Sequence, residues 1–285
     1  MKLDGRRESQ NVDDRRGKGF GRGKASLGLG GVIVVGFIVW LLGGNPLDFV
    51  SMQLSEGGAS VENYTRTPEE EQMATFAKRI LAGTEDVWTK IFRERGKEYT
   101  PPRMVLFHRA VQSGCGNATS STGPFYCSAD QTVYIDLSFF SEMEQRLNAG
   151  GDFAYAYVIA HEVGHHVQYL LGTLDEVHRN QQRVGQVESN RLNVRLELQA
   201  DFYAGIWAYY DNKMFDSIEE GDIEEGLNAA SQIGDDRLQM ESQGYTVPDA
   251  FNHGTSAQRS RWLKKGLQTG DITFGDTFSV DYSNL

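Results

Sequence analysis

Between Ala25 and Leu47 the chain carries no charged residue, and the centre of that run, LGLGGVIVVGFIVWLLGG, holds only apolar residues and glycine. A helix of that length matches the hydrocarbon thickness of a bilayer, so a single transmembrane helix is expected over 27–44. Two other readings exist. A buried core helix usually keeps a polar face, and none is present. A cleaved signal peptide ends in a small-residue site, whereas Gly43-Gly44-Asn45-Pro46-Leu47-Asp48 follows here. Arg6, Arg7, Arg15, Arg16, Lys18, Arg22 and Lys24 precede the run, and the positive-inside bias places that side in the cytoplasm. The expected layout is a basic cytoplasmic segment (1–26), the anchor (27–44), a polar linker (45–66) and an extracytoplasmic domain (67–285).

Charge divides the chain in the same way. The first 26 residues hold eight Lys/Arg and four Asp/Glu, a balance of +4, which leaves -11 - 4 = -15 for the remainder. So acidic a body argues against nucleic acid as a partner, because such binding neutralises phosphates with clustered Lys and Arg. Cys115 and Cys127, the only cysteines, stand twelve residues apart in the Gly/Ser/Thr-rich stretch SGCGNATSSTGPFYC, which reads as a loop. In an oxidising compartment they can bridge; two free buried thiols are the alternative. A zinc site built on them would need two further ligands, and no other cysteine exists.

Helix signals dominate the rest. Thr67-Pro68-Glu69-Glu70 is a capping box with proline at the first helical position, followed by Met73, Phe76, Ile80, Leu81 and Val87 at helical spacing. Helices are expected over Asp152–Leu171, with Gly172 as terminator, and over Arg191–Tyr210, Asp222–Gln239 and Ser256–Gln268. His178–Asn190 reads as a loop or a mobile helix. Arg103–Phe107 and Thr132–Leu137 have strand composition. The fold class is α+β, mainly helical, with a small β-sheet.

His161-Glu162-Val163-Gly164-His165 puts two imidazoles four residues apart on one helix face, where both reach a single zinc ion, with Glu162 beside them. Histidines buried for packing would not explain a glutamate against an apolar run. A catalytic zinc takes a third protein ligand, and Glu197 in Glu197-Leu198-Gln199-Ala200-Asp201 is the candidate. Glu197 and Asp201 share a face, so one can bind metal while the other accepts the ring N–H of a ligand histidine. Two solvated carboxylates would be the plain reading, but Leu196, Leu198, Phe202 and Ala204 make this helix largely apolar. His166 points away from the ligand face. Asp235-Asp236-Arg237 reads as an ion-pair network, since calcium needs more oxygen ligands.

These stretches resemble the neutral zinc metallopeptidases of bacteria, whose zinc motif is related to that of the Glu-ligand zincins. GPFYCSADQTVYIDL, VIAHEVGHHVQ, LELQAD, IGDDRLQ and HGTSAQR carry the resemblance over nearly the whole domain, and the basic segment with one apolar run is similar to that family's layout. It implies a zincin-like fold, a zinc cofactor held by His161, His165 and Glu197, Glu162 as catalytic base, a peptide or protein substrate and a place in the cell envelope. Members often carry a cysteine just after LELQAD and another before the late Asp-Thr-Phe. This chain has Phe202 and Gly275 there, as if a second bridge had been lost as a unit.

On that expectation zinc lowers the pKa of a bound water, and Glu162 takes its proton and passes it to the leaving amine. His253, followed by Arg259 at a helix start, is a candidate donor to the oxyanion, or merely a helix cap. Tyr134, Ile135 and Asp136 are a candidate edge strand for an extended peptide. The alternative function keeps fold and metal without catalysis, as a membrane-tethered scaffold or binding module. Glu162 separates the two, because a scaffold has no use for a base between metal ligands.

Overall fold

Thr67 caps the first helix as its sequence requires, accepting from the Glu70 amide while the Glu70 carboxylate accepts from the Thr67 amide. The computed structural model describes residues 1–17 and 64–285. That first helix, α1 (Pro68–Glu94), buries Ile80, Leu81, Val87, Trp88 and Ile91 in the main core. The strands are β1 (Val12–Asp14), β2 (Arg103–Phe107), β3 (Ala110–Ser113), β4 (Gly116–Thr119), β5 (Phe125–Cys127) and β6 (Thr132–Asp136). Four of them form one sheet in the order β1-β2-β6-β5, with β5 the antiparallel edge; β3 and β4 form a separate hairpin. The expected bridge is formed: Cys115, in the β3–β4 turn, is joined to Cys127 at the end of β5.

The remaining helices are α2 (Ser138–Leu147), α3 (Asp152–Leu171), α4 (Thr173–Gln181), α5 (Gln186–Phe215), α6 (Asp222–Gln232), α7 (Asp235–Gln243) and α8 (Ser256–Thr269). The stretch expected as one helix over Asp222–Gln239 breaks at Ile233-Gly234, where Gly234 is extended and caps α7. His178–Asn190 is the end of α4, a short turn and the start of α5. The description mainly helical with a small sheet holds.

Helices α5 and α8 interlock through glycine. A Cβ on Gly266 would lie 2.1 Å from the Phe202 carbonyl oxygen, and one on Gly205 would lie 2.2 Å from that of Leu263. Backbone, not a movable side chain, fills both positions. Gly266→Ala is therefore expected to lower stability by about 1–3 kcal/mol in urea unfolding, although alanine is the better helix former by about 1 kcal/mol. A stabilised Gly266→Ala would show that the two helices sit further apart.

The expected membrane layout is corrected. Among the described residues no helix is long and apolar enough to cross a membrane, so a single transmembrane helix is not supported; 27–44, where it was expected, lies outside the described residues. Nor does the single-pass topology hold, because residues 1–17 are built into the domain that was to lie on the other side. Strand β1 pairs in parallel with β2, Val12 opposite Met104 and Asp14 opposite Leu106. Arg6 makes a two-pronged contact with the fully buried Asp211, at 2.7 and 2.8 Å, and Arg7 bonds Glu85 at 2.8 Å. Arg16 bonds Asp14 and Glu71, and the chain rejoins there, with Arg66 3.1 Å from Asp14. Arg6 and Arg7 are counter-charges to the buried carboxylates of Asp211 and Glu85, which a low-dielectric interior does not tolerate unpaired.

The candidate substrate strand is an edge only in part. β6 is paired with β2 along its whole length and with β5 over Thr132–Tyr134, so Tyr134 is interior to the sheet, whereas Ile135 and Asp136 run past the end of β5. Tyr134 and Ile135 are buried, and Asp136 accepts from the Arg109 and Ser138 amides.

Candidate metal centre

Helix α3 carries His161, Glu162 and His165 into the core, and α5 crosses it where a Cβ on Gly164 would lie only 3.0 Å from the Ala200 carbonyl oxygen. The fourth position of HEVGH is thus a point of close backbone approach between the two helices. The crossing sets Glu197 against both imidazoles, one carboxylate oxygen 3.2 Å from His161 Nε2 and the other 3.5 Å from His165 Nε2. One ligand atom from each of the three residues lies within 4.8 Å of the others. Two donors at about 2.0–2.2 Å from a tetrahedral zinc stand roughly 3.3–3.5 Å apart, so the cluster fits the ion with little movement.

The far nitrogens of both rings are held so that the Nε2 lone pairs face the cluster. His161 Nδ1–H donates to Asp201 Oδ1 at 2.8 Å. Asp201, fully buried, also accepts from Tyr157 Oη at 2.6 Å and from Arg259 Nε at 2.9 Å. His165 Nδ1–H donates to Gln168 Oε1 at 2.9 Å. The Gln168 amide is oriented by its other end, where Nε2 donates to the Leu196 carbonyl at 2.7 Å and to Gln199 Oε1 at 3.1 Å.

Electrostatics favour positive charge at the same place. Burial alone would lower the His161 pKa, but the Asp201 carboxylate and the contact with Glu197 raise it to about 10. Burial would raise Glu197, yet the charge of His165 and the hydrogen bond from His161 hold it well below the carboxylate range. Asp201 is likewise lowered to about 2, against the cost of burial, by Arg259 and His161. A cation among the three donors would take the place of the proton these carboxylates stabilise.

Glu162 is buried at 8% exposure, and among the described residues nothing hydrogen-bonds its carboxylate. His253 lies close enough for its charge to be felt at Glu197, and its Nδ1 is 3.1 Å from Asp235 Oδ1. Asp235 is paired with that ring rather than with Arg237. Its other oxygen accepts the amides of Asn252, His253 and Gly254, so this fully buried carboxylate shapes the loop that presents His253. Asp236 holds Ser256 at the start of α8, and Arg237 pairs with Glu241. His166 stands apart from the cluster, neutral, its pKa pushed down to about 4 by burial, with Nε2–H donating to the Thr100 carbonyl.

Gln168, Gln199 and Tyr157 were not singled out by sequence reasoning, Asp235 was assigned to a local ion-pair network rather than to His253, and Arg259 was placed near the reaction rather than against Asp201. The only signal for the two glutamines was their presence in VIAHEVGHHVQ and LELQAD. Positions 202 and 275 prove to be neighbours: a Cβ on Gly275 would lie 2.5 Å from the Phe202 ring, which fills the space instead of a cysteine pair.

Comparison with known proteins agrees with this geometry. A family model described as "Putative neutral zinc metallopeptidase" matches residues 1–278. The uncharacterized protein YpfJ of Escherichia coli K12 is 47% identical over 98% of this chain and 99% of its own length. Uncharacterized protein Rv2575 of Mycobacterium tuberculosis H37Rv and Mb2605 of Mycobacterium bovis are each 45% identical over 64% of this chain and 64% of their own. No solved structure matches the chain.

Proposed function

The chain belongs to the neutral zinc metallopeptidase family, and on that premise we propose that it hydrolyses peptide bonds at a zinc ion held by His161, His165 and Glu197. The observation that carries the reading is Glu162: a carboxylate on a residue only 8% exposed, to which no described residue hydrogen-bonds, next in sequence to one donor of a three-donor cluster. A carboxylate left free beside such a cluster is available to take a proton, and a general base is the use that explains it here. When bound, zinc supplies Lewis acidity, making water acidic near neutral pH and polarising a carbonyl.

The residues then divide the work. Glu162 accepts the proton of the attacking water and delivers it to the leaving amine. His253, steadied through Nδ1 by Asp235, donates to the oxygen on which charge develops. Asp201 fixes the ring of His161 and Arg259 fixes Asp201. The antiparallel edge β5, which among the described residues has a sheet partner on one side only and whose Tyr126 hydroxyl reaches His166 on α3, offers main-chain groups to an extended peptide.

Glu197→Ala is the test of the ligand set. Zinc affinity, measured by chelator competition, is expected to fall by more than the roughly 10–100-fold that loss of an outer partner costs, and cleavage of a casein or peptide library to fall with it. Wild-type zinc affinity in Glu197→Ala would remove Glu197 from the ligands and the proposal with it.

A further inference from the structure

The molecule holds a second chain of hydrogen bonds at the cluster, of a different kind from the carboxylate that serves His161. His165 Nδ1–H donates to Gln168 Oε1, Gln168 Nε2 donates to Gln199 Oε1 at 3.1 Å, and Gln199 Nε2 donates to the Gly275 carbonyl at 2.9 Å. Every bond runs in one direction, outward. A backbone carbonyl can only accept, so Gly275 fixes the Gln199 amide, and Gln199 together with the Leu196 carbonyl, 2.7 Å from Gln168 Nε2, fixes Gln168 with its oxygen facing His165. The ring must then carry its proton on Nδ1 and keep Nε2 free. Both glutamines are buried, Gln168 completely, where an amide in the reverse orientation would set oxygen against oxygen.

The acceptor that ends the chain is itself held in place. Gly275 belongs to a 3₁₀ turn (Ile272–Gly275) pressed on Phe202. Immediately after it, the Thr277 hydroxyl donates to the Arg195 carbonyl at 2.7 Å, while the Arg195 guanidinium donates to the carbonyls of Thr277 and Val280.

We propose that Gln168 and Gln199 are positioning residues: an amide relay that sets the tautomer and orientation of His165 from two backbone carbonyls, Leu196 directly and Gly275 through Gln199, and so couples the C-terminal turn to metal affinity. The inference rests on the zinc reading above. Its mechanism differs from that of Asp201: the relay is uncharged and adds no negative charge to the cluster, so its effect is geometric.

The test uses the full chain and reads metal, not turnover. Gln168→Met, Gln168→Glu and Gln199→Met are compared with wild type by chelator competition for zinc, by the visible absorption of the cobalt-substituted protein and by thermal unfolding of the metal-free form. Gln168→Met is expected to weaken zinc about 10–100-fold and to alter the cobalt bands. Gln168→Glu keeps an acceptor facing His165 but sets its other oxygen against the Leu196 carbonyl and Gln199 Oε1, so it recovers part of that affinity at a lower thermal stability of the metal-free form, and Gln199→Met shows a smaller loss in the same direction. The relay is refuted if wild type binds zinc and Gln168→Met binds it equally, or if the Met and Glu variants lose equal affinity in proportion to lost thermal stability. Absence of zinc in wild type would instead refute the metal site itself, and with it the relay.

Discussion

Glu162→Gln is expected to reduce peptide turnover by about 10²–10⁴-fold, the usual contribution of a positioned general base, while zinc content stays at the wild-type level. The substitution keeps the shape of the side chain and removes only its capacity to take a proton. Because no described residue hydrogen-bonds the Glu162 carboxylate, the change breaks no network. Metal-free Glu162→Gln is accordingly expected to unfold close to the wild-type temperature. Full turnover in this variant would assign proton transfer elsewhere, and loss of zinc would make Glu162 a ligand rather than a base.

Arg259→Leu carries the other large effect, on stability first and metal second. The guanidinium bonds both oxygens of Asp201 and the Tyr157 hydroxyl, and all three side chains are buried. Removing it leaves a carboxylate inside the protein with only the hydroxyl and the His161 ring to stabilise it. Breaking a buried pair in this way costs about 3–5 kcal/mol. Urea unfolding of the metal-free variant is expected to show that loss. Asp201→Asn in the Arg259→Leu background should return part of it, because the unpaired charge is then gone. If Arg259→Leu unfolds at the wild-type midpoint, Asp201 is not held as an ion pair.

The parts of this site that could be read from sequence share one property: they are periodic. His161 and His165, like Glu197 and Asp201, recur at four residues on apolar helices, so each pair is fixed to one face before anything is known of the fold. What joins α3 to α5 is not periodic. Gly164 could be seen as a residue of the motif but not as the point where two backbones touch. Gln168 and Gln199 are neutral amides, ordinary on exposed helix faces, and only the crossing brings them together. His253 was found, but Asp235 was given the wrong partner, because an acidic pair before a helix is more often paired with nearby cations than with a ring and three amides 17 to 19 residues on.

The N-terminal segment went wrong for a related reason. Its arginines read as the basic flank of a membrane span, since charge patterning does not distinguish lipid headgroups from a carboxylate 205 residues away, which is where Arg6 finds Asp211. Strand β1 is Val-Asp-Asp, too short and polar to show alternation, and it is recruited by backbone pairing to β2 alone.

Zinc content of the full chain, measured together with casein cleavage before and after chelation, tests the account most directly. It predicts about one zinc per chain, cleavage abolished by the chelator and restored by added zinc. A chain that cleaves casein undiminished after its metal has been removed, or one that binds no zinc at all, would contradict it.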